Sequence, residues 1–202
     1  MKVWSLLRIF FAVVLLSACG NSEKKDKTDS ESSGMEIKIK KGDDIDLDQK
    51  GDYTQLYTVS EDCKLTNEQL AEALGYTVDQ VEEQSNYQGN CWYKVTHPDG
   101  ITVNYGIRLE KWGDLGIVSD EIKSGLKNEL IEMRISSSGD TYLKRHPAQG
   151  FLLLLNTNYA NPIQISYSYL NTDGPKLTEA QKEERKANTY TIANYLIEHY
   201  QK

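Results

Sequence analysis

Residues 91–110 read CWYKVTHPDGITVNYGIRLE. Residues 91–96 and 102–110 are two strand-like runs, the second with Val103, Tyr105, Ile107 and Leu109 on one face. Between them, His97-Pro98-Asp99-Gly100 is a turn. Its proline presets φ and its glycine tolerates positive φ. So short a connection makes the pair an antiparallel hairpin.

Helical signals flank the hairpin. Upstream, Thr66 and Gln69 form a capping box, Leu65 precedes the cap, Leu70, Ala71, Ala73 and Leu74 supply an apolar face, and Gly75 ends the helix. A second capping pattern, Thr77 with Gln80, predicts a short helical turn through Glu83. Downstream, Ser119 is expected to cap a helix reaching Arg134, with Asp120 and Glu121 at its positive end and a stripe of Val118, Ile122, Leu126, Leu130 and Met133. Residues 151–155 are apolar throughout, which suggests a strand buried on both faces. After a turn at residues 156–161, Ile163, Ile165, Tyr167 and Tyr169 alternate with Gln164, Ser166 and Ser168 along a final strand. Thr178 with Gln181 caps a long helix to Tyr200, its inner face Ala187, Tyr190, Ala193, Ile197 and Tyr200. Hairpins alternating with helices predict an α+β fold: an antiparallel sheet with helices packed on one side, as a single domain over residues 35–202. Its opening residues also alternate. Met35, Ile37 and Ile39, then Ile45 and Leu47, read as short half-buried strands, with a hairpin around Gly42.

The N-terminus carries an address. Lys2 and Arg8 form a basic head, and residues 9–16 are an apolar run too short for a membrane span of about 20 residues. Small residues follow at Ser17 and Ala18. The stretch Leu16-Ser17-Ala18-Cys19 resembles the lipobox of bacterial lipoproteins. The resemblance implies that residues 1–18 are a cleaved signal peptide. It implies that Cys19 takes a diacylglyceryl thioether and becomes the N-terminus, with further acylation of its amine. An ordinary secretory signal with an incidental cysteine is the alternative. Gly20 stands where an Asp would favour retention at the inner membrane, so the outer membrane is expected if the cell has one. Residues 20–34 hold no large apolar side chain, and with Cys19 they read as a disordered tether.

Removing residues 1–18 takes away Lys2 and Arg8 and moves the formal charge from −7 to −9. An acidic surface argues against nucleic acid. With Cys19 lipidated, Cys63 and Cys91 remain as an even pair in an oxidising compartment, which predicts a disulfide. A metal site is the alternative, but no further Cys or His sits at ligand spacing. Cys63, Leu65-Thr66, Leu70, Leu74-Gly75 and Cys91-Trp92 also resemble a C…LT…LG…C.W pattern that opens an α+β domain in small secreted bacterial lipoproteins of unknown function. The pattern spans some 30 residues, and Trp92 directly follows Cys91 instead of standing one further on. It implies the disulfide and the fold, and it brings no catalytic residues.

Chemistry is sparse. His97 lies in a turn, His146 in a loop and His199 near a helix end, and all three are expected at the surface. Metalloprotease, nucleophile-elbow and phosphate-loop motifs are missing from the sequence. The acidic run at residues 43–48 fails the calcium-loop register, with Gln49 and Gln55 where Gly and Glu are needed. Ser136-Ser137-Ser138-Gly139-Asp140 offers hydroxyls without a base nearby in sequence. Tyr53, Tyr57, Tyr159 and Trp112 fall in loop-like stretches where an aromatic is hard to bury, and Trp112 and Tyr159 mark an expected binding surface. The expectation is a non-enzymatic binding or accessory module of the cell envelope. It would hold the membrane by its lipid, meet an envelope protein, and use no cofactor or metal. A small-ligand site between sheet and helices is the second reading, marked by an apolar pocket. A hydrolase is the third, requiring Ser, His and carboxylate within hydrogen-bonding reach.

Overall fold

The computed structural model describes residues 52–136, 139–145, 150–168 and 176–201. The expected signal peptide, Cys19, the expected tether, the strands expected at residues 35–48, and His146 lie outside them. The chain forms α1 (Thr54–Tyr57), α2 (Asn67–Leu74), β1 (Val81–Tyr87), β2 (Asn90–Thr96), β3 (Thr102–Leu109), α3 (Leu115–Lys127), β4 (Glu132–Ile135), β5 (Thr141–Arg145), β6 (Phe151–Asn156), β7 (Ile163–Ser168) and α4 (Glu179–Tyr200). The seven strands make one sheet in the order β1-β2-β3-β7-β6-β5-β4. Every neighbouring pair is antiparallel. Two meanders therefore meet where β3 pairs with β7, and α3 carries the chain between them.

The α+β class and the antiparallel sheet are as expected. Which face each helix covers follows from β6, where successive side chains point to opposite sides. Leu152 and Leu154 join a large core with Tyr93, Tyr105, Ile107, Ile163 and the α4 residues Ile192, Ala193 and Leu196. Leu153 and Leu155 join a second core with Val118 and Ile122 of α3. Helices α1, α2 and α4 share the first face; α3 is the exception, lying on the second. Being covered twice explains the unbroken apolar run of β6.

Local chemistry sets the helix ends. Capping boxes open α2 at Thr66–Gln69 and α4 at Thr178–Gln181. Gly75 closes α2 in the left-handed region, at φ 69°. The disulfide Cys63–Cys91 ties the lead-in to α2 onto β2, with Cα atoms 5.7 Å apart.

Five expectations need correction. The helical turn at Thr77 covers only residues 78–80, and residues 81–87 are β1. The α3 cap is Asp114, which accepts from the Gly116 N–H at 2.7 Å, and Ser119 lies inside the helix. That helix stops at Lys127, and residues 132–135 are the edge strand β4. Of its expected stripe, Val118 and Ile122 are buried but Leu130 is 71% exposed. On α4, Ala187 faces solvent, whereas Arg185 and Thr189 are buried. Ala187 matches the helical period equally well, but charged side chains of the sheet decide which side faces in. Arg134 and Arg145 both lie over the Tyr190 ring, 3.7 and 4.9 Å from its centre. Arg145 also donates to the Thr189 hydroxyl, and Arg134 pairs with Glu132 at 2.9 Å.

Candidate functional site

Helix α3 packs on β4, β5 and β6. Over β1, β2 and β3 the same face of the sheet carries no helix among the described residues. Strand register places the side chains there. Trp92 stands opposite Gly106 across the β2–β3 pair, and Gly106 opposite Ser166 across β3–β7. The indole lies across the glycine: a Cβ built on Gly106 would meet two Trp92 ring carbons at 2.9 and 3.0 Å and the Ser166 hydroxyl at 2.8 Å. One side of the indole is thus pressed to the backbone, and the residue remains 36% exposed. Tyr87, two positions from Ser85 on the same face of β1, is 72% exposed. Lys94 and Glu82 border the platform as an ion pair at 3.7 Å. On the other side Arg108 pairs with Glu110 at 2.6 Å and donates to the Gln164 side chain. Trp, Tyr and Arg are the side chains that most often anchor protein interfaces.

The two aromatics read from sequence are placed apart. Trp112 is half-buried against Val118, Ile122, Leu153 and Leu155, so it joins the α3 side of the sheet. Tyr159 is half-buried on the α4 side, stacked on Tyr57 at 4.6 Å. Its hydroxyl accepts from the Tyr53 N–H at 3.0 Å and donates to Asp52 at 3.2 Å, fastening the start of α1. Tyr53 and Tyr57 are buried, contrary to expectation, because α1 turns them into the core. Ser136 donates to Asp140 at 3.0 Å within its own turn.

His97 is the largest departure from the expected surface position. It is 1% exposed, and its ring lies between two tyrosines. Nδ1 is 2.9 Å from the Tyr76 hydroxyl and Nε2 is 3.2 Å from the Tyr105 hydroxyl. The Asn188 amide donates to Tyr105 at 3.2 Å, and the Tyr76 hydroxyl donates to Glu184 at 3.5 Å. Fully buried Arg185 completes the cluster, 2.6 Å from Asp99 and 2.6 Å from Glu184. Gln181 donates to Asp99 at 3.0 Å. The turn between β2 and β3 is thereby bound to the first half of α4. Burial, then the Arg185 charge, hold the His97 pKa below its ordinary 6.5, against the opposite pull of Glu184 and Asp99. Burial raises the Asp99 carboxyl, but the Ile101 N–H and Arg185 outweigh it and keep the pKa below 3.8.

The sequence held a signal for each feature it did not reveal directly. A turn at residues 97–100 sets Thr96 against Thr102, and counting outward sets Trp92 against Gly106. His97 opens the turn on the same strand face as Tyr93 and Val95, two residues that are buried. Among the described residues no group of three or more His, Cys, Asp or Glu side chains is placed to hold a metal ion. No protein-family profile, curated protein or solved structure matches the chain.

Proposed function

We propose that the chain is a membrane-anchored extracytoplasmic lipoprotein that acts as a non-enzymatic binding or accessory module. Its binding face would be the open side of β1, β2 and β3. The observation that carries this reading is Trp92, pinned flat on Gly106 while one side stays open to solvent. A rigid aromatic of this kind contributes contact area with little loss of side-chain freedom on binding. Tyr87 and the Arg108–Glu110 pair supply the mixed aromatic and polar setting of a protein interface. The lipid on Cys19 would keep that face close to the membrane, and the partner would be another envelope protein.

Site-directed photocrosslinking in the native envelope tests the assignment. A photoreactive amino acid at Trp92 or Tyr87 should capture one discrete partner band. The same probe at Glu198, which is exposed on α4 behind the sheet, should not. Equal capture from both faces, or capture from neither, would remove the open face as the binding surface.

A further inference from the structure

We infer that His97, Tyr76, Tyr105 and Glu184 form a proton-operated latch that holds the first half of α4 on the β2–β3 hairpin and releases it as the surroundings acidify. The argument is one of donors and acceptors. Tyr105 already accepts from the Asn188 amide, so its own O–H must donate elsewhere. The acceptor in reach among the described residues is His97 Nε2, at 3.2 Å. That nitrogen must then be unprotonated, and the ring proton sits on Nδ1. Nδ1–H donates to the Tyr76 oxygen, and the Tyr76 hydroxyl passes its proton on to the Glu184 carboxylate. One directed chain therefore runs from Asn188 through both tyrosines and His97 to Glu184. It satisfies each buried group in turn.

A second proton on His97 has no place in this chain. Nε2–H would then face Tyr105 O–H, two donors with no acceptor between them. A buried donor left without an acceptor is costly.

The charges facing the ring act from three elements. Arg185 on α4 opposes the imidazolium. Glu184 on the same helix and Asp99 in the turn favour it. Tyr76, after α2, and Tyr105 on β3 stay neutral here, both with pKa raised, first by burial. With the folded pKa below the unfolded one, the latch is intact above about pH 6.5 and loses strength as pH falls through the folded value. Asp99 acts in the same direction at lower pH, because its carboxylate must survive to hold Arg185 and Gln181. Release would uncover the tyrosines beneath α4, Tyr105 and its neighbour Tyr167, whose ring centres are 6.4 Å apart.

Two measurements on the folded chain decide the matter. Nitrogen NMR of the His97 ring at neutral pH should report the Nδ1–H tautomer; an Nε2–H tautomer would overturn the chain of bonds. Hydrogen exchange over residues 179–190, corrected for intrinsic rates, should then rise as pH drops from about 7.5 to about 5. About tenfold is expected per unit by which the folded pKa lies below the unfolded one. Tyr105→Phe removes the proton that requires Nε2, so it should raise the His97 pKa and shrink this response. His97→Gln cannot titrate and should abolish it. If His97→Gln fails to fold, Tyr105→Phe carries the test alone. An undiminished acid response in either folded variant would sink the latch.

Discussion

Gly106 is a glycine because Trp92 occupies the space a side chain would take. Its strand position does not demand left-handed backbone, so the constraint is contact alone. Gly106→Ala should therefore shift the indole and Ser166, at a cost of about 1–3 kcal/mol. Chemical denaturation followed by tryptophan fluorescence would measure it. The pairing makes a sharper claim: in a Trp92→Ala background the same change should cost markedly less, since the ring it collides with is gone. Equal costs in the two backgrounds would show that Trp92 does not fill that space. At this scale the site was only partly legible. Trp92 against Gly106 follows from counting outward from the turn. The burial of His97 is hinted at only by its strand face, because its tyrosine partners come from residues 76 and 105 and its charges from residues 184 and 185. A polar side chain beside Pro-Asp-Gly looks solvated until α4 is laid over it. Trp112 and Tyr159 are expected on one binding surface, but both are half-buried and pack against the cores on opposite faces of the sheet.

Elements with strong end signals were legible, and those at the margins of the sheet were not. The helices α2 and α4 announce themselves by capping boxes, and the β2–β3 hairpin by its turn. The edge strand β1 reads VEEQSNY and buries only Val81, so it lacks the alternation that marks a half-buried strand. Its register shift between Glu83 and Ser85, with its acidic side chains, is the kind of device that discourages pairing with other chains. In β5 the inward positions include Lys144 and Arg145, which burial makes invisible to a hydrophobic pattern. Lys144 pairs with Glu121 of α3 at 2.6 Å, and Arg145 donates to Thr189 and lies over the Tyr190 ring. Because β1 holds so little apolar surface, the join between α2 and β2 depends on Cys63–Cys91. The bridge closes a loop with a sequence separation of 28. In the chain-entropy model a loop of that length contributes roughly 3.5 kcal/mol. Replacing both cysteines by alanine should lower the melting temperature by roughly 10 °C for a domain of this size. Calorimetry with and without reductant checks it: reductant should destabilise the native chain and leave the double variant unchanged. A native melting temperature indifferent to reductant would mean the bridge contributes little.

For the whole molecule, the proposed lipid anchor on Cys19 is the part open to test. Among the described residues no helix is long and apolar enough to cross one. The large apolar side chains exposed on the domain are dispersed over several elements: Val59 and Val78 near α2, Tyr87 and Trp92 on the open sheet face, Leu115 and Ile117 at the start of α3, and Leu130 beyond its end. A formal charge of −9 after loss of residues 1–18 would repel anionic headgroups. On the proposed reading, the lipid on Cys19 supplies the attachment. One acyl chain holds a protein only marginally, at about 0.8 kcal/mol per buried CH2, whereas two or three hold it firmly. Cys19→Ser removes the thioether and, with it, the processing that depends on the thioether. The variant should leave the carbonate-washed membrane fraction, fail to incorporate labelled palmitate, and no longer partition into detergent. Its melting temperature should match that of the native chain, because the anchor is separated from the described domain by residues 20–51. Native-like retention of the variant on washed membranes would show that something other than Cys19 carries the attachment. Release together with loss of stability would show that the segment behind Cys19 is part of the fold, not a tether.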